Sequence, residues 1–266
     1  SQYHTPVYNI PLDLQYNNYK SDPDHGTIPE HTQKAIIEAM HADGVKGDTL
    51  QEVLTEHEYD SLKFVMWICK NNFDKLIKPK VEAKGKPLAK QFWIENPPKG
   101  FEIVHAHNSP DEQWLTKQYA EGKTKDDIYK EYWDRLDYEL GVVCRKHFID
   151  YFEIVQQYAN YTRISGGQIG PGRGSGCGSL LNYLVGITAI DPLPNGLLFA
   201  RFLNPDRNGY PDIDLDFTKE FRDNNLWPYL REQYGKDNTS QIATYQFFWG
   251  KAAIRTAARV LFQKPD

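Results

Sequence analysis

The sequence predicts a mixed α/β (α+β) chain that begins with a helical N-terminal region. Three observations carry this. Apolar residues recur at helical spacing over much of the chain, as at Ala35, Ile36 and Met40. A glycine-rich run over 166–178 interrupts the helical pattern late in the chain. Soon after it, residues 211–217 alternate strictly between acidic and apolar residues, as a strand with two distinct faces does.

Taken in order, residues 1–28 are rich in Tyr, Asn, Pro and Asp and read as an irregular lead-in. A helix follows from Pro29 to about Ala42, and the glycines at 44 and 47 end it. Thr49 suits the N-cap of a longer helix through Leu54, Phe64, Val65 and Ile68. Residues 78–100 combine four prolines with lysines and read as a linker or extended arm. Ser109 stands three residues before Glu112, the spacing of a capping box, ahead of Trp114, Leu115 and Tyr119. Helical spacing resumes over 126–143 and 148–158. After the glycine run comes a short apolar helix over 179–186, a loop at Asp191-Pro-Leu-Pro-Asn-Gly, and an apolar stretch from Leu197 to Leu203. Helical patterns over 220–234 and 249–262 close the chain. The divisions expected are a helical region with linker at 1–91, a second body at 92–242, and the start of a third at 243–266.

Composition narrows the function classes. A length of 266 residues leaves ample material for a buried core, and 40% hydrophobic with 25% charged residues is ordinary for a globular protein. The net charge of -5 excludes a chain coated in basic residues, so contact with nucleic acid has to follow a local stripe or be bridged by metal ions. Cys69, Cys144 and Cys177 are far apart and form no CxxC pair, which argues against a disulfide framework or zinc ribbon and points to a reducing cytoplasm. No stretch has the apolar length of a membrane span, and the first residues do not begin a signal peptide.

Chemistry concentrates in Pro211-Asp-Ile-Asp-Leu-Asp-Phe217. In an extended segment, Asp212, Asp214 and Asp216 share one face while Ile213, Leu215 and Phe217 enter the core. Three aligned carboxylates repel unless something positive sits against them. Hard divalent cations such as Mg2+ fit, because they need few protein carboxylates when phosphates supply the remaining oxygens. A solvated acidic edge strand is the competing reading. The second signal, Gly170-Pro-Gly-Arg-Gly-Ser-Gly-Cys-Gly-Ser179, permits close backbone approach to a phosphate. Arg173, Ser175, Ser179 and a following helix N-terminus are candidate donors. It matches neither the Walker pattern nor GxGxxG, and a flexible turn is the plain alternative. A phosphate cradle beside a row of metal-binding carboxylates is the minimum equipment of a nucleotidyltransferase.

Arg201 and Arg207 lie between these elements and suit bidentate contact with a triphosphate, or else ion pairs with Asp206 or Glu220. Lys251, Arg255 and Arg259 recur every four residues on the last helix, a stripe able to track a DNA backbone or simply to face solvent. Residues 246–249 read as core packing, with base stacking as the alternative. His105 and His107 have strand spacing, but no further His/Asp cluster is within reach, and they are not taken as metal ligands.

The run from Asp137-Tyr-Glu-Leu through the glycine motif, Asp191-Pro-Leu, Leu198-Phe-Ala-Arg-Phe-Leu-Asn-Pro-Asp-Arg207 and Pro211-Asp-Ile-Asp-Leu-Asp-Phe217 resembles the C-family of bacterial and phage-type replicative DNA polymerases. Ser240-Gln-Ile-Ala-Thr-Tyr and Lys251-Ala-Ala-Ile-Arg-Thr-Ala-Ala-Arg-Val-Leu261 continue the resemblance, which covers roughly the second half of the chain. It implies a nucleotidyltransferase palm of the polymerase-beta type over 92–242 and the start of a thumb at 243–266. Asp212 and Asp214 would be catalytic and hold two Mg2+ ions, while Arg173, Gly174, Ser175 and Arg201 would bind the dNTP. Asp216 would support them. Template-primer DNA and the rest of the polymerase are the implied partners.

The family's third catalytic aspartate lies beyond the thumb, so the expectation is that this stretch needs the remainder of the polymerase for activity. The family's N-terminal phosphoesterase-like domain is not recognisable in 1–91. A non-catalytic fragment that binds DNA or a partner is the main alternative, and a template-independent nucleotidyltransferase a smaller one.

Overall fold

A computed structural model describes residues 12–84, 109–206, 209–242, 245, 247 and 249–262. Expectations that fall on Arg207, His105, His107, Gln246, residues 1–11 and most of the 78–100 arm lie outside these. The chain forms two compact units, Ser1–Leu226 and Trp227–Asp266.

Helices dominate. In the first unit they are α1 Leu12–Ser21, α2 Glu30–Ala42, α3 Leu50–Val53, α4 Glu56–Asn72, α5 Lys78–Glu82, α6 Pro110–Ala120, α7 Lys125–Arg145, α8 Ile149–Ile164, α9 Leu180–Leu184 and α10 Lys219–Phe221. Among the described residues, β pairing is confined to two isolated antiparallel bridges, Ile169 with Phe217 and Arg173 with Asp214. The α/β expectation is therefore met only as an α-rich fold with very little strand. The acidic segment pairs at single residues rather than along a ladder.

The long α7 is the axis of the first unit, with Leu136, Leu140, Val143 and Cys144 buried along it. Thr124 caps its start by accepting from the Asp127 N–H at 3.2 Å. Helix α2 packs closely along α7, and Gly141 makes this possible. A Cβ there would lie 3.2 Å from that of Ala39 and 3.3 Å from the Ala35 carbonyl oxygen. Thr32 on α2 donates to Asp137 Oδ1 at 2.6 Å, and His31 Nδ1 lies 2.5 Å from Asp137 Oδ2. Helix α4, with Leu62, Val65 and Met66 buried, packs on α8 through the same core.

Three expectations need correction. The lead-in contains helix α1, because Tyr19 finds Phe64 at 5.3 Å and Trp67 at 5.7 Å, edge to face, and that packing outweighs a polar composition. The single helix expected after Thr49 is two. Leu54 is extended at φ -114, ψ 152, and Thr55 caps a new helix by accepting from the Glu58 N–H at 3.2 Å. The expected arm begins instead with α5, where Lys80 and Val81 are buried.

The second unit contains α11 Trp227–Tyr234 and α12 Gly250–Phe262. On α12, Lys251, Arg255 and Arg259 are exposed, as are Ile254, Val260, Leu261 and Phe262. Phe247 and Trp249, expected to pack in a core, are exposed as well. No helix among the described residues is long and apolar enough to cross a membrane.

Candidate nucleotide and metal site

The glycine run and the acidic segment, about forty residues apart in sequence, lie against each other. Besides the two bridges, the Gly170 N–H donates to the Asp216 carbonyl at 3.2 Å. Ile213 and Leu215 pack on the core, and Phe217 reaches Tyr158 of α8 at 6.4 Å between ring centroids. Of the segment's three carboxylates, Asp214 and Asp216 share the side that meets Arg173. Arg173 lies across two of them, with Nη2 3.4 Å from Asp214 Oδ1 and Nε 3.3 Å from Asp216 Oδ2.

Gly174 is at φ +66, and a Cβ there would stand 2.7 Å from Asp214 Oδ2. The positive φ calls for glycine where the loop meets the acid, and a side chain there would push the Asp214 carboxylate aside. Gly174 opens a 3-10 turn, Gly174–Gly178, with Ser175 half-buried in it. Asp212 is exposed, near Tyr151 of α8, whose phenol is pushed up by burial and further by Asp212. Arg201 ends the 3-10 turn Phe199–Arg201, is exposed, and makes no ion pair among the described residues.

The start of α9 is differently employed than its sequence suggests. The Leu180 and Leu181 N–H groups each donate at 2.9 Å to the carboxylate of Glu139 on α7. Ser179 is fully buried, donates to Glu139 at 2.8 Å and accepts from the Asn182 N–H at 3.1 Å. These groups are taken by the protein's own carboxylate, which leaves Arg173, Ser175 and the turn backbone as the phosphate-facing candidates.

Glu139 stands inside the Asp137-Tyr-Glu-Leu run, which by itself suggests no role for it. It is completely buried, and burial pushes its carboxyl up while Arg135 and the two N–H groups pull it down. Arg135 Nε donates to it at 2.7 Å, and Arg135 Nη2 donates to the carbonyls of Gly178 at 2.7 Å and Leu197 at 3.1 Å. A sequence signal existed. Glu139 falls on the apolar face of α7 beside Leu136, Leu140 and Val143, four residues after an arginine.

A second buried network was equally silent. Lys80 pairs with Asp191, which also accepts from Tyr132 Oη at 2.6 Å, and Lys80 lies 3.4 Å from Asp111. It ties α5, α6 and α7 to the loop that follows α9.

Asp212 and Asp214 offer hard oxygen donors beside a glycine cradle, the donor chemistry Mg2+ takes. No group of three or more His, Cys, Asp or Glu residues able to hold a metal gathers among the described residues. A Mg2+ ion held there would have only these two carboxylates, and phosphate oxygens or another segment would have to complete its shell.

Residues 112–266 match the model of the bacterial DNA polymerase III alpha NTPase domain. The DNA polymerase III subunit alpha of Aquifex aeolicus is 45% identical over 147 residues, which is 55% of this chain and 12% of that protein. That of Thermus aquaticus is 54% identical over 126 residues, 47% of this chain and 10% of that protein. The Neisseria meningitidis serogroup A protein is 41% identical over 159 residues, 60% of this chain and 14% of that protein. The chain thus spans only a small part of the length of these curated relatives, and α1 to α5 lie outside the family match.

Proposed function

Since the chain belongs to the bacterial DNA polymerase III alpha NTPase-domain family, we propose that it is part of the catalytic palm, of the polymerase-beta nucleotidyltransferase type, of a DNA-directed DNA polymerase acting in DNA replication. One observation carries this reading. The glycine loop and the carboxylate face meet directly, with Arg173 spanning Asp214 and Asp216. A triphosphate cradle and metal-binding acids in contact are what nucleotidyl transfer requires.

In this reading Arg173, Gly174 and Ser175 hold the triphosphate of a dNTP, and Arg201 approaches it from the neighbouring turn. Asp212 and Asp214 hold two Mg2+ ions, which when bound supply charge neutralisation and Lewis acidity at the phosphates. The primer 3′-hydroxyl releases its proton to solvent water, its oxygen bonds to the α-phosphorus, the bond from that phosphorus to the α–β bridging oxygen breaks, and pyrophosphate leaves. The chain's own residues contribute orientation. Arg173 moves from its acids to the phosphates, and Gly174 lets the backbone come close. Template-primer DNA and the remainder of the polymerase, which brings the third aspartate, thumb and fingers, are the partners. The three buried free cysteines suit a reducing cytoplasm.

Titration of the chain with Mn2+ in the presence of template-primer DNA and a dNTP tests this. The expected result is metal and dNTP binding that disappears in the Asp212→Ala, Asp214→Ala double variant. Binding of DNA that persists unchanged, with no metal or dNTP binding by the unaltered chain, favours the non-catalytic DNA-binding reading instead, for which the exposed basic stripe on α12 speaks.

A further inference from the structure

Two side chains of α7 bond to the end of the glycine turn and to the start of α9: Arg135 to the Gly178 carbonyl, and Glu139 to Ser179, Leu180 and Leu181. Glu139, with no exposed surface, receives four hydrogen bonds: from Arg135 Nε, Ser179 Oγ and the N–H groups of Leu180 and Leu181. Arg135 then uses its other end on two carbonyls, Gly178 at the close of the glycine turn and Leu197 just ahead of the turn that carries Arg201. Both phosphate-facing segments are tied to a single turn of α7.

We propose that Arg135 and Glu139 are positioning residues, which set the glycine turn and the Arg201 turn at the spacing a triphosphate needs. This rests on the reading that the glycine turn binds a triphosphate. The arrangement is costly unless complete. A buried carboxylate needs its charge countered and its lone pairs filled, and here the four donors do both. The same saturation keeps the negative charge of Glu139 from repelling phosphates bound at the turn. A simple apolar contact would hold the segments together without fixing their register, whereas one Nη2 shared by two carbonyls, on a guanidinium anchored to Glu139 through Nε, restricts the geometry.

The test is calorimetric titration of the full 266-residue chain with inorganic tripolyphosphate in excess Mg2+. It compares the unaltered protein with Glu139→Gln and Arg135→Lys, alongside the thermal unfolding midpoint of each. Gln fills the space but turns a donor toward an N–H group, and Lys keeps the charge beside Glu139 but cannot span both carbonyls. The expected outcome is a loss of about ten-fold or more in affinity in both variants while unfolding stays cooperative. Amide exchange should quicken over 174–181 but not in α2.

A lowered midpoint with unchanged affinity of the folded protein assigns the pair a structural role only and overturns the proposal, leaving the triphosphate reading intact. Failure of the unaltered chain to bind tripolyphosphate overturns that reading and the proposal with it. Should both variants fail to fold, Ser179→Ala decides. It removes one donor to Glu139 and leaves the charge pair in place, and an unchanged affinity there overturns the proposal.

Discussion

The Arg173 guanidinium lies 3.4 Å from the Asp214 carboxylate, so the loop expected to hold phosphates is bound to the acids expected to hold metal. Both side chains are well exposed, and an exposed pair of this kind contributes about 0–1 kcal/mol. In the proposed reading Arg173 is an exchangeable counter-charge, and its value lies in what replaces it. Arg173→Ala should leave the unfolding midpoint nearly unchanged while weakening tripolyphosphate binding about ten-fold. A large drop in thermal stability with intact phosphate binding would falsify this division of labour.

Gly174→Ala should do harm twice. Its φ of +66 disfavours any side chain, and the added Cβ would meet Asp214 Oδ2 at 2.7 Å. The expected cost is about 1–2 kcal/mol of stability by denaturant unfolding. Weaker Mn2+ binding should accompany it, since the carboxylate has to move. An alanine variant that binds Mn2+ as the parent does would mean that Asp214 is not a ligand.

Lys80 and Asp191 form a buried pair in which losing one partner strands the other. Burial works against the Lys80 charge, yet Asp191, Tyr132, Tyr183 and Asp111 outweigh it and hold the ammonium well above its ordinary range. A raised lysine stabilises the fold fully below its unfolded value and loses that contribution only in strong alkali, so at neutral pH the pair is intact. Asp191→Asn should cost about 3–5 kcal/mol in urea unfolding at pH 7. A cost below about 1 kcal/mol would show that water reaches the site.

Glu153 on α8 gives the opposite sign. Burial, chiefly, raises its carboxyl above the ordinary range, with Asp150 adding to the effect and Ser61 and Gln157 opposing it. Its protonated form is thus favoured by the folded state, and stability contributed there falls as pH rises through the ordinary carboxylate value of about 4.3 and on to the raised one. Glu153→Gln should flatten that part of the pH–stability curve and raise the midpoint at pH 7. Identical curves for the two proteins would remove the buried-carboxylate explanation.

The stripe on α12 predicts a salt effect. Replacing Lys251, Arg255 and Arg259 together with alanine should reduce the slope of log affinity for duplex DNA against log salt by about 2–3. An unchanged slope would place DNA contact elsewhere.

How much was legible in the sequence follows from the range of each interaction. Helices α2, α6, α7 and α8 could be read directly, because apolar spacing and caps such as Ser109 act within three or four residues. So could the acids and the glycine loop, where alternation and composition state which chemistry is affordable.

What the sequence alone determined is thus the residue types and local periods, and through them the family. The tertiary structure decided the partners. The helical α1 depends on Phe64 and Trp67, far along the chain. Lys80 meets Asp191 across 111 positions, and Arg173 meets Asp214 across 41. Ser179 and the start of α9 go to Glu139 rather than to a phosphate, because a carboxylate buried on α7 must find donors and these are the ones packed against it. A sequence states which groups need a partner, and only the packing of distant segments settles which partner each receives.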